Sequence, residues 1–460
     1  MRGKFLKDRF SDFESNSFLI FYLLSRYRFK HFTEKQIKDY QKSKLNIVTD
    51  YAFRHSKFFN ALYSGCDINA FESLPIISKK TMMENLTDYN TLGLTKEKIL
   101  DFCLEIEKSR DYSKRLDGIN IGMSSGTSGN KGVEIVTPRE EMYMKAALLA
   151  RFDIPKGEKM NVAFILRVSA PAFSLGILGH RLTYVSQLNS IENISSRLQD
   201  INPNILSAPP SMLKLIAKEV EEKRLNIKPK RLITYAEIIY PDVRNYLKEV
   251  FNCPLHEIYK CTEGPIAMTC KHERLHINED LVFVETFNKD GSKTIPGNPC
   301  EKLVITDLHK RAQPIIRYHL NDIITVSPKK CECGSNFRVI ENIQGRSDDL
   351  LWGRKINRDS MQFIFPDYIT RAIITSSENI DEYQVVQTSP QDMTIKIDLK
   401  DKAQEKNFER DVLIKNMENL FVEYKCEKPR IEIKFEKPEA NKNSNKLARI
   451  QRNFEIKEQN

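Results

Sequence analysis

Ser124-Ser125-Gly126-Thr127-Ser128-Gly129-Asn130-Lys131-Gly132 runs for nine residues without one large apolar side chain. Such a stretch cannot build a core, so something polar must be held there. Three glycines permit positive φ and a close approach of backbone to ligand, while hydroxyls and the Lys131 ammonium are donors to anionic oxygens. The composition is that of a loop that grips phosphate. GxxxxGK[ST] fits at none of Gly122, Gly126 or Gly129, and the GxGxxG spacing of dinucleotide sites does not match either.

The chain around this loop has 460 residues and 40% hydrophobic content, enough for two or three domains with a large core. Its net charge of +10 is spread without a basic block, so a nucleotide or another anionic substrate accounts for the excess as well as nucleic acid does. Phe18-Leu19-Ile20-Phe21-Tyr22-Leu23-Leu24 falls far short of the roughly 20 residues needed to span a bilayer. It follows Asp8, Asp12 and Glu14 and lacks a small-residue cleavage site, so neither a membrane span nor a signal peptide is predicted, and the expected location is cytoplasmic. Nine cysteines argue against a disulfide framework and leave metal or thiol roles open.

From Ser15 to about Glu107 apolar residues recur at helical spacing, which predicts a helical N-terminal part reaching to about residue 115. Leu74-Pro75-Ile76-Ile77-Ser78-Lys79-Lys80 reads as an extended turn before a helix opened by Ser78. After the glycine loop a helix is predicted from about Arg139 to Phe152, then a buried strand over Val162-Ala163-Phe164-Ile165-Leu166. Ile205-Leu206-Ser207 leads through Pro209-Pro210 into a helix near Ser211, and Leu232-Ile233-Thr234-Tyr235 leads through Ala236-Glu237 into one opening at Pro241. In the latter Val243, Tyr246, Leu247, Val250 and Phe251 form one stripe. Repeated β-α units predict a mostly parallel sheet with ligands at strand C-termini. Past Gly345 the period becomes two: Met393, Ile395, Ile397 and Leu399 alternate, as do Ile431, Ile433 and Phe435, around a helical segment from about Phe408 to Phe421. The expected fold class is therefore α/β. A large N-terminal domain, 1–345, with mostly parallel sheets and a helical cap precedes a small C-terminal α+β domain, 346–460.

The glycine loop resembles the signature SSGTSGxKG of the adenylate-forming superfamily, the acyl- and aryl-CoA ligases and their relatives, in which it holds ATP phosphates. Further stretches resemble that family's motifs in the same order. Glu257-Ile258-Tyr259-Lys260-Cys261-Thr262-Glu263-Gly264 is similar to YGxTE, which implies Tyr259 against adenine, Thr262 on phosphate and Glu263 on magnesium. Lys260 stands where the family has Gly. Pro314-Ile315-Ile316-Arg317-Tyr318-His319-Leu320-Asn321-Asp322 is similar to PLIRYxTGD, implying that Asp322 accepts from both ribose hydroxyls; an Arg317–Asp322 surface pair is the purely structural alternative. Gly345-Arg346-Ser347-Asp348-Asp349-Leu350-Leu351 resembles the GRxDDxL hinge about which the small domain rotates, and places Arg346 among the nucleotide contacts. The Arg-Gly pair expected next is altered to Gly353-Arg354, which sets CoA as acceptor in question. Asn445-Lys446-Leu447-Ala448-Arg449 resembles the terminal GKLRR, whose lysine, here Lys446, neutralises charge during adenylyl transfer. Ala236-Glu237 stands at the adenine-side turn of the phenylacetate–CoA ligase and coenzyme F synthetase branch.

Cys270, His276, Cys331 and Cys333 offer a structural zinc set, with His272 as a substitute ligand. The resemblance thus implies an enzyme that uses ATP and magnesium, holds zinc, and joins a small-molecule carboxylic acid to an amine, hydroxyl or CoA acceptor through an acyl-adenylate. Ser124, Ser125, Gly126, Thr127, Ser128, Gly129 and Lys131 would hold phosphates, with Ala236, Glu237, Tyr259, Asp322 and Arg346 around the nucleoside. Lys446, Thr262 and Glu263 would act in catalysis. Two rivals stand beside this: AMP transfer to a phenolic or other hydroxyl of a cofactor-like substrate, and a non-catalytic relative that binds nucleotide or nucleic acid. A homodimer is left open.

Overall fold

The computed structural model describes residues 12–109, 111, 113–123, 132–152, 157–166, 180–187, 189–236, 239, 241–288, 290–346, 351–356, 360–364, 366–377, 379–438 and 450–454. They form two compact units that change over after Gly345.

The first unit opens with helices α1 (Asp12–His31), α2 (Glu34–His55), α3 (Lys57–Leu62), α4 (Lys79–Glu84), α5 (Leu86–Tyr89) and α6 (Lys96–Ser109). The Ser78 hydroxyl accepts the Thr81 N–H to start α4, as the sequence predicts, and Thr33 and Gln36 close a capping box on α2. Between α3 and α4 the predicted extended turn is present. Ile77 donates its N–H to the Arg317 carbonyl and accepts from the His319 N–H, each at 2.9 Å, so the Pro75 turn runs beside the Pro314 to Asp322 stretch.

Strands β1 (Asn120–Met123) and β2 (Val133–Val136) pair antiparallel with Met123 opposite Val133. That register pins together the two ends of the glycine loop, whose residues 124–131 lie outside the described residues. Helix α7 (Pro138–Leu149) follows at once, opened by a capping box between Thr137 and Glu140.

Alternation of strand and helix then builds the main sheet: β3 (Asn161–Leu166), β4 (Arg181–Ser186), α8 (Ile191–Ile201), β5 (Ile205–Ser207), α9 (Pro210–Glu221), β6 (Arg231–Tyr235), α10 (Pro241–Phe251) and β7 (Leu255–Lys260). Proline at the first position suits α9 and α10 because its missing N–H has no partner there anyway. The α10 stripe packs inward, with Leu247 and Phe251 buried and Val243, Tyr246 and Val250 against them. After β7 come β8 (Pro265–Thr269), β9 (Leu275–Ile277), β10 (Val282–Phe287), β11 (Lys302–Asp307), β12 (Tyr318–Leu320), β13 (Asp322–Val326) and β14 (Val339–Arg346). The order is β13-β14-β9-β8-β7-β6-β5-β3-β4. Neighbours from β4 to β7 are parallel, while β7–β8, β8–β9 and β9–β14 are antiparallel. β10, β11 and β12 make a separate antiparallel sheet. The expected parallel sheet is thus one half of a mixed one, because helices stop alternating with strands at β7.

The second unit has a hairpin of β15 (Leu351–Arg354) and β16 (Met361–Ile364), helix α11 (Pro366–Ile374), strands β17 (Ile380–Ser389) and β18 (Asp392–Leu399), helix α12 (Arg410–Glu423), and strands β19 (Arg430–Lys434) and β20 (Ile450–Arg452). Its sheet runs β19-β18-β17-β20. Met393, Ile395, Ile397 and Leu399 are buried and alternate with more exposed neighbours, as the period of two requires. They share a core with Leu413, Met417 and Phe421 of α12.

Candidate functional site

The C-terminal end of β7 is where the parallel and antiparallel halves of the main sheet meet, and two nucleotide motifs converge there. Tyr259, on β7, donates its hydroxyl to Oδ2 of Asp322, the first residue of β13, at 2.6 Å. Residues 63 positions apart, expected on adenine and ribose respectively, are thus already joined. After β7 the chain reverses through Cys261 and Gly264, with the Cys261 N–H donating to the Gly264 carbonyl at 3.1 Å. Gly264 sits in a tight approach: a Cβ there would lie 3.3 Å from Asp307 Oδ2 and 3.4 Å from Val282 Cγ1.

Thr262 and Glu263 occupy this reversal. The Thr262 carbonyl accepts from Lys310 Nζ at 3.0 Å, and the same ammonium pairs with Glu134 Oε1 at 3.1 Å. Lys260 pairs with Oε2 of the same carboxylate at 3.4 Å. Glu134 lies two residues beyond Gly132, so two ammonium groups tie the strand that leaves the glycine loop to the Thr262–Glu263 turn. Burial would raise the Glu134 pKa, but Lys260 and Lys310 outweigh it and hold the carboxyl below its ordinary value. Next to them burial pushes Asp307 up to about 6, against the opposing pull of Lys310 and of the His309 and Lys310 N–H groups. Lys260, where the family has Gly, therefore has a structural account in its Glu134 partner.

Glu263 is 7% exposed. It lies beside the phenols of Tyr318 and Tyr89; burial first, and the Glu263 charge with it, pushes the ionisation of Tyr318 far up. The hydroxyls of Tyr63 and Tyr89 are buried and have no hydrogen-bond partner among the described residues. Arg317 does not pair with Asp322. Its guanidinium meets both oxygens of Glu285, at 3.1 and 3.2 Å, and donates to the carbonyls of Leu74 and Glu72, which fastens the Pro75 turn to the motif. Arg317 and Ala236 both have positive φ, 44° and 66°, a conformation that costs a non-glycine residue on the order of 1 kcal/mol and gathers at functional sites. Ala236 is the first residue of the expected adenine-side turn. Glu237 and Lys446 lie outside the described residues, as do 124–131, and Arg346 is described only as the last residue of β14.

In the second unit Gly353 sits inside β15, where a Cβ would lie 2.8 Å from both Cβ and Sγ of Cys426. The altered Gly353-Arg354 order thus has a packing reason in this chain: the strand passes Cys426 too closely for any side chain.

The expected metal ligands assemble. Ligand atoms of Cys270, His276, Cys331 and Cys333 all lie within 4.8 Å of one another. Cys270 Sγ is 3.6 Å from Cys331 Sγ, and Cys333 Sγ is 3.4 Å from His276 Nε2. A zinc–sulfur bond of about 2.3 Å gives a tetrahedral edge of about 3.8 Å, so these two spacings suit the ion. His276 Nδ1 donates to the Phe337 carbonyl at 2.8 Å, which leaves Nε2 bare toward the thiols. Backbone N–H groups of His272, Cys333 and Ser335 point at the sulfurs of Cys270, Cys331 and Cys333. His272 enters the centre through its backbone; the imidazole of the set is that of His276.

Glu134, Lys310 and Tyr318 were not singled out from sequence as site residues. Glu134 and Lys310 are 176 positions apart, and no local pattern links them. A glutamate set between the apolar Val133 and Ile135, so near a glycine loop, is the one signal the sequence carried.

No protein-family profile matches the chain. It is 24% identical over 377 residues to the phenylacetate-coenzyme A ligase of Thermus thermophilus, covering 76% of this chain and 78% of that protein. It is 22% identical over 385 residues to protein CapK of Staphylococcus aureus, covering 75% and 78%. Its fold matches that of 2-hydroxyisobutyryl-CoA ligase, solved with 2-HIB-AMP and CoA, with a TM-score of 0.59 at 15% identity over 93% of this chain and 91% of that one.

Proposed function

Because the chain belongs to the adenylate-forming superfamily, in its phenylacetate–CoA ligase-like branch, we propose that it activates a small-molecule carboxylic acid with ATP and passes the acyl group to an amine, a hydroxyl or the thiol of CoA. The observation that supports it best is the Tyr259–Asp322 hydrogen bond at the end of β7, which sets the adenine-side aromatic beside the ribose-side carboxylate. In the first half-reaction a carboxylate oxygen attacks the α-phosphorus and pyrophosphate leaves. In the second the acceptor attacks the acyl carbon and AMP leaves. No side-chain nucleophile takes part, so rate comes from positioning and from charge placed where it develops.

In this reading the loop from Ser124 to Lys131 orients the phosphates, and the β1–β2 register holds its ends together. Lys260 and Lys310, through Glu134, keep Thr262 and Glu263 against that loop's exit strand. Magnesium bound with ATP would neutralise phosphate charge, and Glu263 is the carboxylate this chain offers it, one being an ordinary protein share for an ion that bridges phosphates. Ala236 and Glu237 close the adenine side, Arg346 adds a nucleotide contact, and Lys446 neutralises the transferring group. The Cys270, His276, Cys331 and Cys333 set is a closed zinc centre with a structural task, since it offers four protein ligands and so leaves no position open.

The test is ATP–pyrophosphate exchange across a panel of aliphatic and aromatic acids. Exchange dependent on one acid, with hydroxylamine trapping an acyl group, supports the reading. Stable transfer of AMP to a hydroxyl substrate supports the adenylyl-transfer rival, and ATP binding without any exchange supports a non-catalytic relative.

A further inference from the structure

Helix α1 exposes large apolar side chains on its outward face while polar contacts fasten its inner one, an unusual state for a helix at a protein surface. Its inner face is fixed. Ser25 Oγ donates to Asp280 Oδ2 at 2.8 Å, the Ser25 carbonyl accepts from Arg151 at 2.9 Å, and Arg28 donates to the Tyr143 hydroxyl at 3.2 Å. Phe29 packs edge-on against His276 and Phe337, next to the Cys/His centre. A helix held by buried charge cannot turn over to hide its other side.

On that other side Leu19, Ile20, Leu23, Leu24 and Tyr27 are between 44% and 56% exposed. They fall at i, i+1, i+4, i+5 and i+8, a single outward stripe just over two turns long. At its C-terminal end the stripe runs into exposed Lys30 and His31, with the His31 ring against Tyr27 at 5.0 Å. From Ser15 to Thr33 there is no Asp or Glu, while Arg26, Arg28 and Lys30 are present; the helix's acidic residues, Asp12 and Glu14, stand at its opposite, N-terminal end. No helix among the described residues is long and apolar enough to cross a membrane.

Two properties choose the occupant. Five half-exposed side chains on two turns fall well short of the roughly 800 Å² that each partner buries in a stable protein interface, so a second copy would not be held by this stripe. An apolar stripe of that size combined with a basic end is, by contrast, the two-part signal that gives reversible attachment to a negatively charged bilayer, with tyrosine at the headgroup level. We propose that the outward face of α1 is a docking surface for an anionic lipid bilayer, on which the helix lies flat and holds the enzyme at a membrane surface. The reading is independent of the reaction assigned above.

The test is co-sedimentation of the full chain with vesicles of phosphatidylcholine alone and of phosphatidylcholine mixed with phosphatidylglycerol. Binding to the mixed vesicles only, weakened by added salt, is expected. L23E and Y27E should each lower the partition coefficient by about tenfold or more, since each sets a charge in the apolar layer, and K30E should lower it less. I295E, at an exposed apolar position outside α1, should leave it unchanged. Thermal unfolding of each variant shows that the fold persists, and two positions are used so that one misfolded variant does not end the test. No binding to the mixed vesicles overturns the proposal. So does equal binding by L23E and Y27E, which would reduce the effect to overall positive charge. So does a lipid-free dimer in light scattering that L23E splits, which would make the stripe an interface between copies.

Discussion

At the residue scale two side chains separate chemistry from stability. Glu263 is buried beside Tyr89 and Tyr318, and E263Q keeps its shape while removing the charge. The unfolding midpoint should move by no more than about 3 °C, whereas the magnesium dependence of pyrophosphate exchange should weaken, because the carboxylate would meet the metal in the ground state too. A collapse of stability with intact magnesium dependence would make Glu263 a core residue only. His309 tests burial instead. Its ring lies tilted against Tyr143, at 4.1 Å between centroids, and Nε2 meets the Asp280 carbonyl at 2.9 Å. Burial holds its pKa down to about 3, so the folded protein keeps it neutral where the unfolded chain takes up a proton. That contribution is fully present above the unfolded value of about 6.5 and is lost as pH falls toward about 3. H309Q, which cannot titrate, should be less stable at neutral pH but show a shallower loss of unfolding midpoint over the same acid range. A parallel acid limb in both proteins would remove His309 from the account.

At the scale of elements, what was legible in the sequence is what repeats locally. The α10 stripe, the alternation from Met393 to Leu399 and the Ser78 cap each follow from one short period or one polar atom at a helix start, and all three are found. The switch from parallel to antiparallel pairing at β7 was not legible, because β8 and β9 are only five and three residues long and buried throughout, so they carry no alternation. Nor was the Lys260–Glu134–Lys310 link, which only the paired strands bring together. Gly353 shows the same limit: from sequence it is a departure from a motif, and in β15 it is the residue that lets the strand pass Cys426. G353A should cost roughly 1–3 kcal/mol in urea unfolding through overpacking, and G353A combined with C426A should recover only part of that cost, because the Sγ contact is removed while the Cβ at position 426 stays 2.8 Å from the added carbon. If G353A is neutral, the close approach relaxes freely and the motif departure needs another reason. The Cys/His centre is an element of its own kind. Purified protein should carry about one zinc per chain, and C331S should lower the unfolding midpoint by on the order of 5 °C or more with nucleotide affinity nearly unchanged. A metal-free protein of the same stability would leave the cluster as buried thiols.

At the scale of the whole molecule the question is why two units with separate cores follow one another on one chain. The first packs its helices on the mixed sheet, and the second has its own core from Leu351 to Ile450. Between β14 and β15 stand Ser347, Asp348, Asp349 and Leu350, in a stretch that begins with Gly345-Arg346 and resembles a hinge. We expect the small unit to rotate there between half-reactions, which ties two measurements together. Limited proteolysis should cut near Arg346 to Asp349 in the free protein, and ATP with the cognate acid should protect the same bonds. Lys446 would be brought to the reacting phosphate only in the adenylating arrangement, so K446A removes a charge that matters in the transition state more than in bound ATP. Exchange should fall by on the order of a hundredfold with ATP affinity nearly unchanged, and the ligand-dependent protection should persist. K442A is the register control. If K446A exchanges at the parent rate and K442A does not, the tail is aligned one motif out of place. If neither matters and cutting is the same with and without ligands, the small unit supplies no catalytic lysine, and adenylation must be completed by cations of the first unit, such as Lys260 and Lys310, which donate to carbonyls of the Cys261–Thr262 turn.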